Sequence, residues 1–149
     1  MRVRRLFVAA ALTLSAVTLV GCEQPQPGVT AFSGTQSVRS SPLCWSGSSA
    51  GLASGQCAQD IVSGEQIGNA PQLQVRAGNV VGISVDESIA EKGWVPAIGG
   101  QRLVNTPIQE TYFRFTFPAA TLPDEGLGLQ VLAGSNAQLN GVWAIRLVN

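Results

Sequence analysis

Three cysteines carry the most definite chemistry in this 149-residue sequence, which contains no histidine. Cys22 closes the run Leu19-Val20-Gly21-Cys22, the pattern of a bacterial lipobox. In that pattern small Gly21 fits the peptidase cleft, and the Cys22 thiolate takes a diacylglycerol through a thioether before cleavage. Cys44 and Cys57 then remain, an even number for an oxidising, exported setting. They stand thirteen positions apart, separated mostly by Gly, Ser and Ala. Such a segment has little to bury and high chain entropy. Closing it with a disulfide would contribute on the order of 3 kcal/mol by the chain-entropy argument. A redox-active pair and a thiolate metal site are the alternatives. The spacing is not C-x-x-C, and no histidine or third free cysteine completes a zinc or copper sphere. A structural Cys44–Cys57 disulfide is the expectation.

Other constellations are weaker. Asp86, Glu87 and Glu91 form an acidic cluster, and paired carboxylates held in a cleft can do acid–base work. On a short solvated turn they cap and solubilise instead. Neither they nor Asp124 and Glu125 show the alternating oxygen ligands of a calcium loop. Serines are plentiful, but there is no imidazole to activate one, and the single lysine, Lys92, follows Ser88 by four residues rather than three. Gly126-Leu127-Gly128 lacks the third glycine and following helix of a phosphate loop. No catalytic residue, metal ligand or cofactor is assigned on these grounds. Tyr112, Arg114 and Thr116 alternate along one segment and would form a polar stripe on the outer face of a sheet. Tyr and Arg are favoured at interfaces, so the stripe is a candidate binding face; its bland alternative is a solvated strand surface. Trp45, beside Cys44 at the mouth of the stapled loop, either packs on the disulfide or serves as a contact residue.

The elements that must position these residues begin after an export segment. Arg2, Arg4 and Arg5 form a basic start, and Leu6 to Val20 is an uncharged, largely apolar run of fifteen residues. That run is short for a bilayer span, which takes roughly 20 residues, and suits a signal peptide over residues 1–21. The whole chain has nine basic and nine acidic residues. Removing the three leading arginines leaves six basic against nine acidic in a mature chain of 128 residues, a net charge of about −3. No basic surplus exists to neutralise phosphates, so nucleic acid is not an expected partner. The expected partner is the membrane, through an N-terminal lipid on Cys22; one cysteine with two or three acyl chains anchors stably. Glu23, rather than an aspartate, follows that cysteine. The expected location is the extracytoplasmic face of a bacterial cell membrane.

Residues 22–41 are rich in Pro, Gln, Ser and Gly and read as the lipid anchor and a flexible tether, with Val29 to Phe32 available as a first edge strand. Residues 42–149 read as one β domain. Leu73 and Val75, then Val81, Ile83 and Val85, alternate with polar or small residues around a turn at Ala77-Gly78-Asn79. Asp86 to Gly93 reads as one helical turn with Asp86 as its cap. Trp94-Val95 starts a strand that Pro96 is expected to cut short, and Gly99-Gly100 is a turn. Tyr112 to Phe117 sets three phenylalanines on one face. Pro123 to Gly126 and Asn140-Gly141 are turn signals, and Trp143, Ile145 and Leu147 face inward. About seven short strands between residues 72 and 149 imply an all-β fold. The expectation is a small immunoglobulin-like antiparallel sandwich with a disulfide-stapled N-terminal segment. Trp94, Phe113, Phe115, Phe117 and Trp143 supply its aromatic core. A closed barrel is the second choice.

The order of lipobox, Pro42-Leu43-Cys44, a loop to Cys57, Leu73 to Val85, Ile89-Ala90-Glu91-Lys92-Gly93-Trp94, an aromatic strand and a closing Gly141-Val142-Trp143-Ala144-Ile145 resembles an uncharacterised family of actinobacterial exported lipoproteins, a domain of unknown function. The likeness covers roughly residues 40 to 149. It implies a small β-rich exported domain and no particular activity. The expected role is non-enzymatic binding or structure in the cell envelope, toward another exported protein or a cell-wall polymer. A solute or metal carrier, and an enzyme without a recognisable motif, are the alternatives.

Overall fold

A computed structural model describes residues 25–53, 57, 65–118, 122–135 and 138–149. The signal segment, the lipobox and Cys22 lie outside the described residues. The elements are β1 (Val29–Ser33), β2 (Gln36–Ser40), β3 (Cys44–Trp45), α1 (Glu65–Gly68), β4 (Gln72–Gln74), β5 (Val80–Val85), α2 (Glu87–Ala90), β6 (Trp94–Ile98), β7 (Gln101–Arg102), β8 (Tyr112–Thr116), β9 (Leu127–Ser135) and β10 (Gln138–Val148). The fold is all-β: two mainly antiparallel sheets in a sandwich, ordered β2-β1-β5-β8 and β3-β10-β9-β6-β7, with β4 joining β10 in parallel.

The described strands number ten rather than seven. Those after residue 72 account for the expected seven, and β1 to β3 are the addition. The difference comes from the segment read as a tether. The strand expected at Val29 to Phe32 is present as β1, with Val29 and Ala31 fully buried and Ser33 also inward. It is not an edge strand, since it lies between β2 and β5 in register with both. The folded domain therefore reaches back to Pro27, and the expected tether of 22–41 is not one beyond that residue.

The core lies between the sheets. Val29, Ala31, Val81, Ile83 and Val85 meet Leu73, Trp94, Leu129, Val131, Trp143, Ile145 and Leu147. Trp94, Trp143 and Phe117 are fully buried as expected, whereas Phe113 and Phe115, on edge strand β8, are only partly covered. Apolar burial of this kind contributes roughly 1.5–3 kcal/mol per large side chain. The six-stranded sheet is apolar on its outward side too, where Val95, Ala97, Val142 and Ala144 are buried. On that side Ile67 of α1 packs against Gly128.

Local expectations were corrected by tertiary context in three places. Pro96 does not end β6; it stands opposite Val131 within the β6–β9 ladder. Trp94 directs its N–H and C=O to Ile108, and Pro96 C=O accepts from Leu103 N–H at 2.9 Å on that same side. The missing proline N–H therefore points away from β9 and costs no ladder bond. Asn140-Gly141 is not a turn but part of β10, beside a bulge. A Cβ at Gly141 would meet the rings of Trp45 and Trp143 at 2.7 Å, so close indole packing selects glycine there. Asp86 does precede α2, yet its side chain makes no cap hydrogen bond.

Candidate functional site

Cys44 and Cys57 form the expected disulfide, with Cα atoms 6.1 Å apart, within the range that a disulfide spans. Cys44 pairs with Val142 of β10, so the bridge is attached to the outward side of the six-stranded sheet. Asn140, buried in β10, adds a second fastening. Its side-chain amide donates to the carbonyls of Ser46 at 3.2 Å and Ser48 at 2.9 Å, and Leu52 N–H donates to Leu139 C=O at 2.8 Å. The start of the glycine–serine loop is thus hydrogen-bonded to the sheet as well as crosslinked to it.

Trp45 and the Tyr112 stripe do not form one site. Trp45 is in the six-stranded sheet, half-buried, with its ring 5.5 Å from that of Trp143. It packs on the aromatic core and lines a shallow groove with Pro25, Pro27 and Lys92 at one end of the sandwich. Tyr112, Arg114 and Thr116 are exposed on β8, an edge strand of the other sheet. Among the described residues no hydrogen bond or ion pair engages Arg114.

The stripe is part of a larger surface whose key member the sequence reading missed. Phe32 on β1 stands in the same cross-strand row as Gly82 on β5 and Arg114 on β8. Its ring reaches over Gly82, where any Cβ would run into it, and stacks on Tyr112 at 6.0 Å with the planes within 8° of parallel. The glycine lets an aromatic from one strand cross a second to meet a third. Thr30 and Ser84 flank this pair on the same face, and Val80 on β5 is 50% exposed there. A parallel aromatic pair with an exposed guanidinium and hydroxyls beside it can stack on flat apolar surfaces and donate hydrogen bonds around them. The signal for Phe32 was its place in the alternation Val29-Thr30-Ala31-Phe32-Ser33, followed by the Gly34-Thr35 turn.

One ion pair borders the face. Arg39 Nη2 and the Asp86 carboxylate are 2.7 Å apart, and the Gly28 N–H donates to the same carboxylate at 2.7 Å. Burial works to raise the Asp86 pKa. The Arg39 hydrogen bond, the Gly28 N–H and the Arg39 charge outweigh it and hold the carboxyl below its ordinary value. Asp86 thus joins the entry to β1, strand β2 and the start of α2. Among the described residues no group of three or more His, Cys, Asp or Glu is arranged to hold a metal ion. Comparison with protein families, curated proteins and solved structures finds nothing that matches this chain.

Proposed function

We propose that this chain is a lipid-anchored protein of the bacterial cell envelope, held outside the membrane by acylated Cys22, with a non-enzymatic binding role. The resemblance to actinobacterial exported lipoproteins belongs to the same reading. The observation that carries the binding role is the Phe32–Tyr112 pair beside exposed Arg114, unpaired among the described residues, on an open sheet face. Aromatic and arginine side chains grouped on one open face are the residue types that anchor interfaces. Its partner is an envelope protein or a cell-wall polymer. Two measurements test the reading. Metabolic labelling with a palmitate analogue should mark the wild-type chain and not Cys22→Ala. The domain lacking residues 1–22 should co-sediment with isolated envelopes and lose most of that binding on Tyr112→Ala or Arg114→Ala. Undiminished binding by both variants would remove this face from the proposal.

A further inference from the structure

We infer that the end of the sandwich formed by Pro27, Trp45 and α2 is held at the lipid headgroups, with the strands rising away from the membrane. The inference rests on the lipid-anchor reading of Cys22. Its basis is how early the chain becomes fixed. Pro27 C=O accepts from the buried Trp143 Nε1 at 3.0 Å. Gly28 exchanges hydrogen bonds with Asp86, at 2.7 Å through the carboxylate and 3.2 Å through the backbone. Val29 is already fully buried. Only five residue steps separate Cys22 from Pro27, which fully extended reach at most about 18 Å. Part of that length is taken up by the headgroup layer, roughly 5–8 Å per leaflet.

The sandwich is longer than this leash. From Pro27 the chain must pass the five residues of β1 before it reaches the Gly34-Thr35 turn, about 17 Å along that strand alone and more than the headgroup layer leaves of the leash. The turns at Gly34-Thr35, Ala77-Gly78 and Gly99-Gly100 lie at the opposite end of the strands from Pro27, and the domain cannot invert to place them on the lipid. The near end also has a suitable surface. Trp45 is half-exposed beside Pro25 and Pro27, and an indole with one apolar side and one polar edge suits the headgroup level. Lys92 lines the groove there together with Glu91, so the charges are mixed. Proximity is enforced by the leash and by Trp45, not by attraction to anionic lipid, and salt should change it little. In this orientation the stripe stands upright. Tyr112, paired with Ser84 two residues before Asp86, is nearest the membrane, and Thr116, paired with Val80, is farthest. The face is then presented sideways, to partners in the layer just above the lipid.

The test uses the lipidated full-length protein in phosphatidylcholine vesicles that carry a headgroup-bound quencher. A fluorophore is attached through Glu87→Cys at the near end or Asn79→Cys at the far end. Several-fold stronger quenching at position 87 is expected. Inserting about twenty Gly/Ser residues between Gln24 and Pro25 should erase the difference, because the leash then exceeds the domain's length. Equal quenching at 87 and 79 in protein with its native leash would mean the domain lies flat, and stronger quenching at 79 that it is inverted; either overturns the inference while the anchor stands. Mass spectrometry of the same sample reads the anchor separately. An unmodified Cys22 overturns the anchor reading and this inference together.

Discussion

The four-stranded sheet keeps one face against the core and the other in solvent, whereas the central strands of the six-stranded sheet are covered on both sides. In β8 the burial alternates strictly, with Tyr112, Arg114 and Thr116 out and Phe113 and Phe115 turned inward. In β10 the run Gly141 to Ile145 is buried without interruption. An antiparallel sheet with one wet face can present side chains to a partner; one with two dry faces gives its surface to stability. The disulfide, Asn140 and Trp143 all act on the six-stranded sheet, while the Phe32–Tyr112 pair and exposed Arg114 belong to the four-stranded one. Where the molecule is held together and where it is available to a partner are therefore separate, and changes in the two sheets should have different consequences.

The sharpest contrast is expected from Trp143→Ala. It removes a fully buried indole, its contact with Trp45 and its hydrogen bond to Pro27, and should cost about 3–5 kcal/mol in urea unfolding. A loss below about 1 kcal/mol would break the assignment of stability to this sheet. Next is the paired change Cys44→Ser with Cys57→Ser, expected to cost about 3 kcal/mol. Calorimetry showing an unchanged midpoint would mean that the Asn140 hydrogen bonds hold the segment alone. In the other sheet the largest effect belongs to Gly82→Leu. The new side chain occupies the place of the Phe32 ring and should destabilise by about 1–3 kcal/mol. It should also separate Phe32 from Tyr112, which near-ultraviolet circular dichroism would register.

Asp86→Asn should act mainly through pH. The Asp86 carboxyl is held below its ordinary pKa in the fold, so the unfolded chain takes up its proton first as pH falls. The pair's stabilisation is present above about pH 4, the ordinary aspartate range, and is lost as pH falls through the lowered value. Both partners are well exposed, so solvent screens the interaction and the effect is small. Acid unfolding curves of wild type and variant should converge below that window; a constant gap down to the lowest pH would contradict the linkage. Smallest in stability is Arg114→Ala, expected within about 0.5 kcal/mol. It is the change most informative about binding, because any loss of envelope association could not then be blamed on unfolding.

Much of the fold could be read from residue order. The alternation from Tyr112 to Phe117 identified β8 and its outer stripe, and the turns at Ala77-Gly78 and Pro123 to Gly126 bounded their strands. Local signals failed where a neighbour in space overruled them. Val29 to Phe32 could be read as a strand but not as an interior one, because only the pairing with both β2 and β5 takes β1 off the edge. Pro96 reads as a stop only if its lost N–H faces a paired strand, and the direction it faces depends on the ladder. Asn140-Gly141 reads as a turn only if no indoles crowd it. The candidate face was half legible. Its β8 members share one strand and follow a period of two, but Phe32 is eighty residues from Tyr112 in the sequence.

By itself the sequence determined the all-β class, the expectation of a Cys44–Cys57 bridge, the inward Trp143, Ile145 and Leu147, and the alternating stripe, because strand periodicity and cysteine spacing are local properties of residue order. Only the tertiary structure decided that Pro27 and Val29 already pack into the domain, that Trp45 belongs to the core side rather than to the stripe, and that Phe32 crosses Gly82 to reach Tyr112. Each of these depends on which strands become neighbours and on how closely two backbones or rings can approach, and residues far apart in the chain acquire that relation only when the two sheets close on a common core.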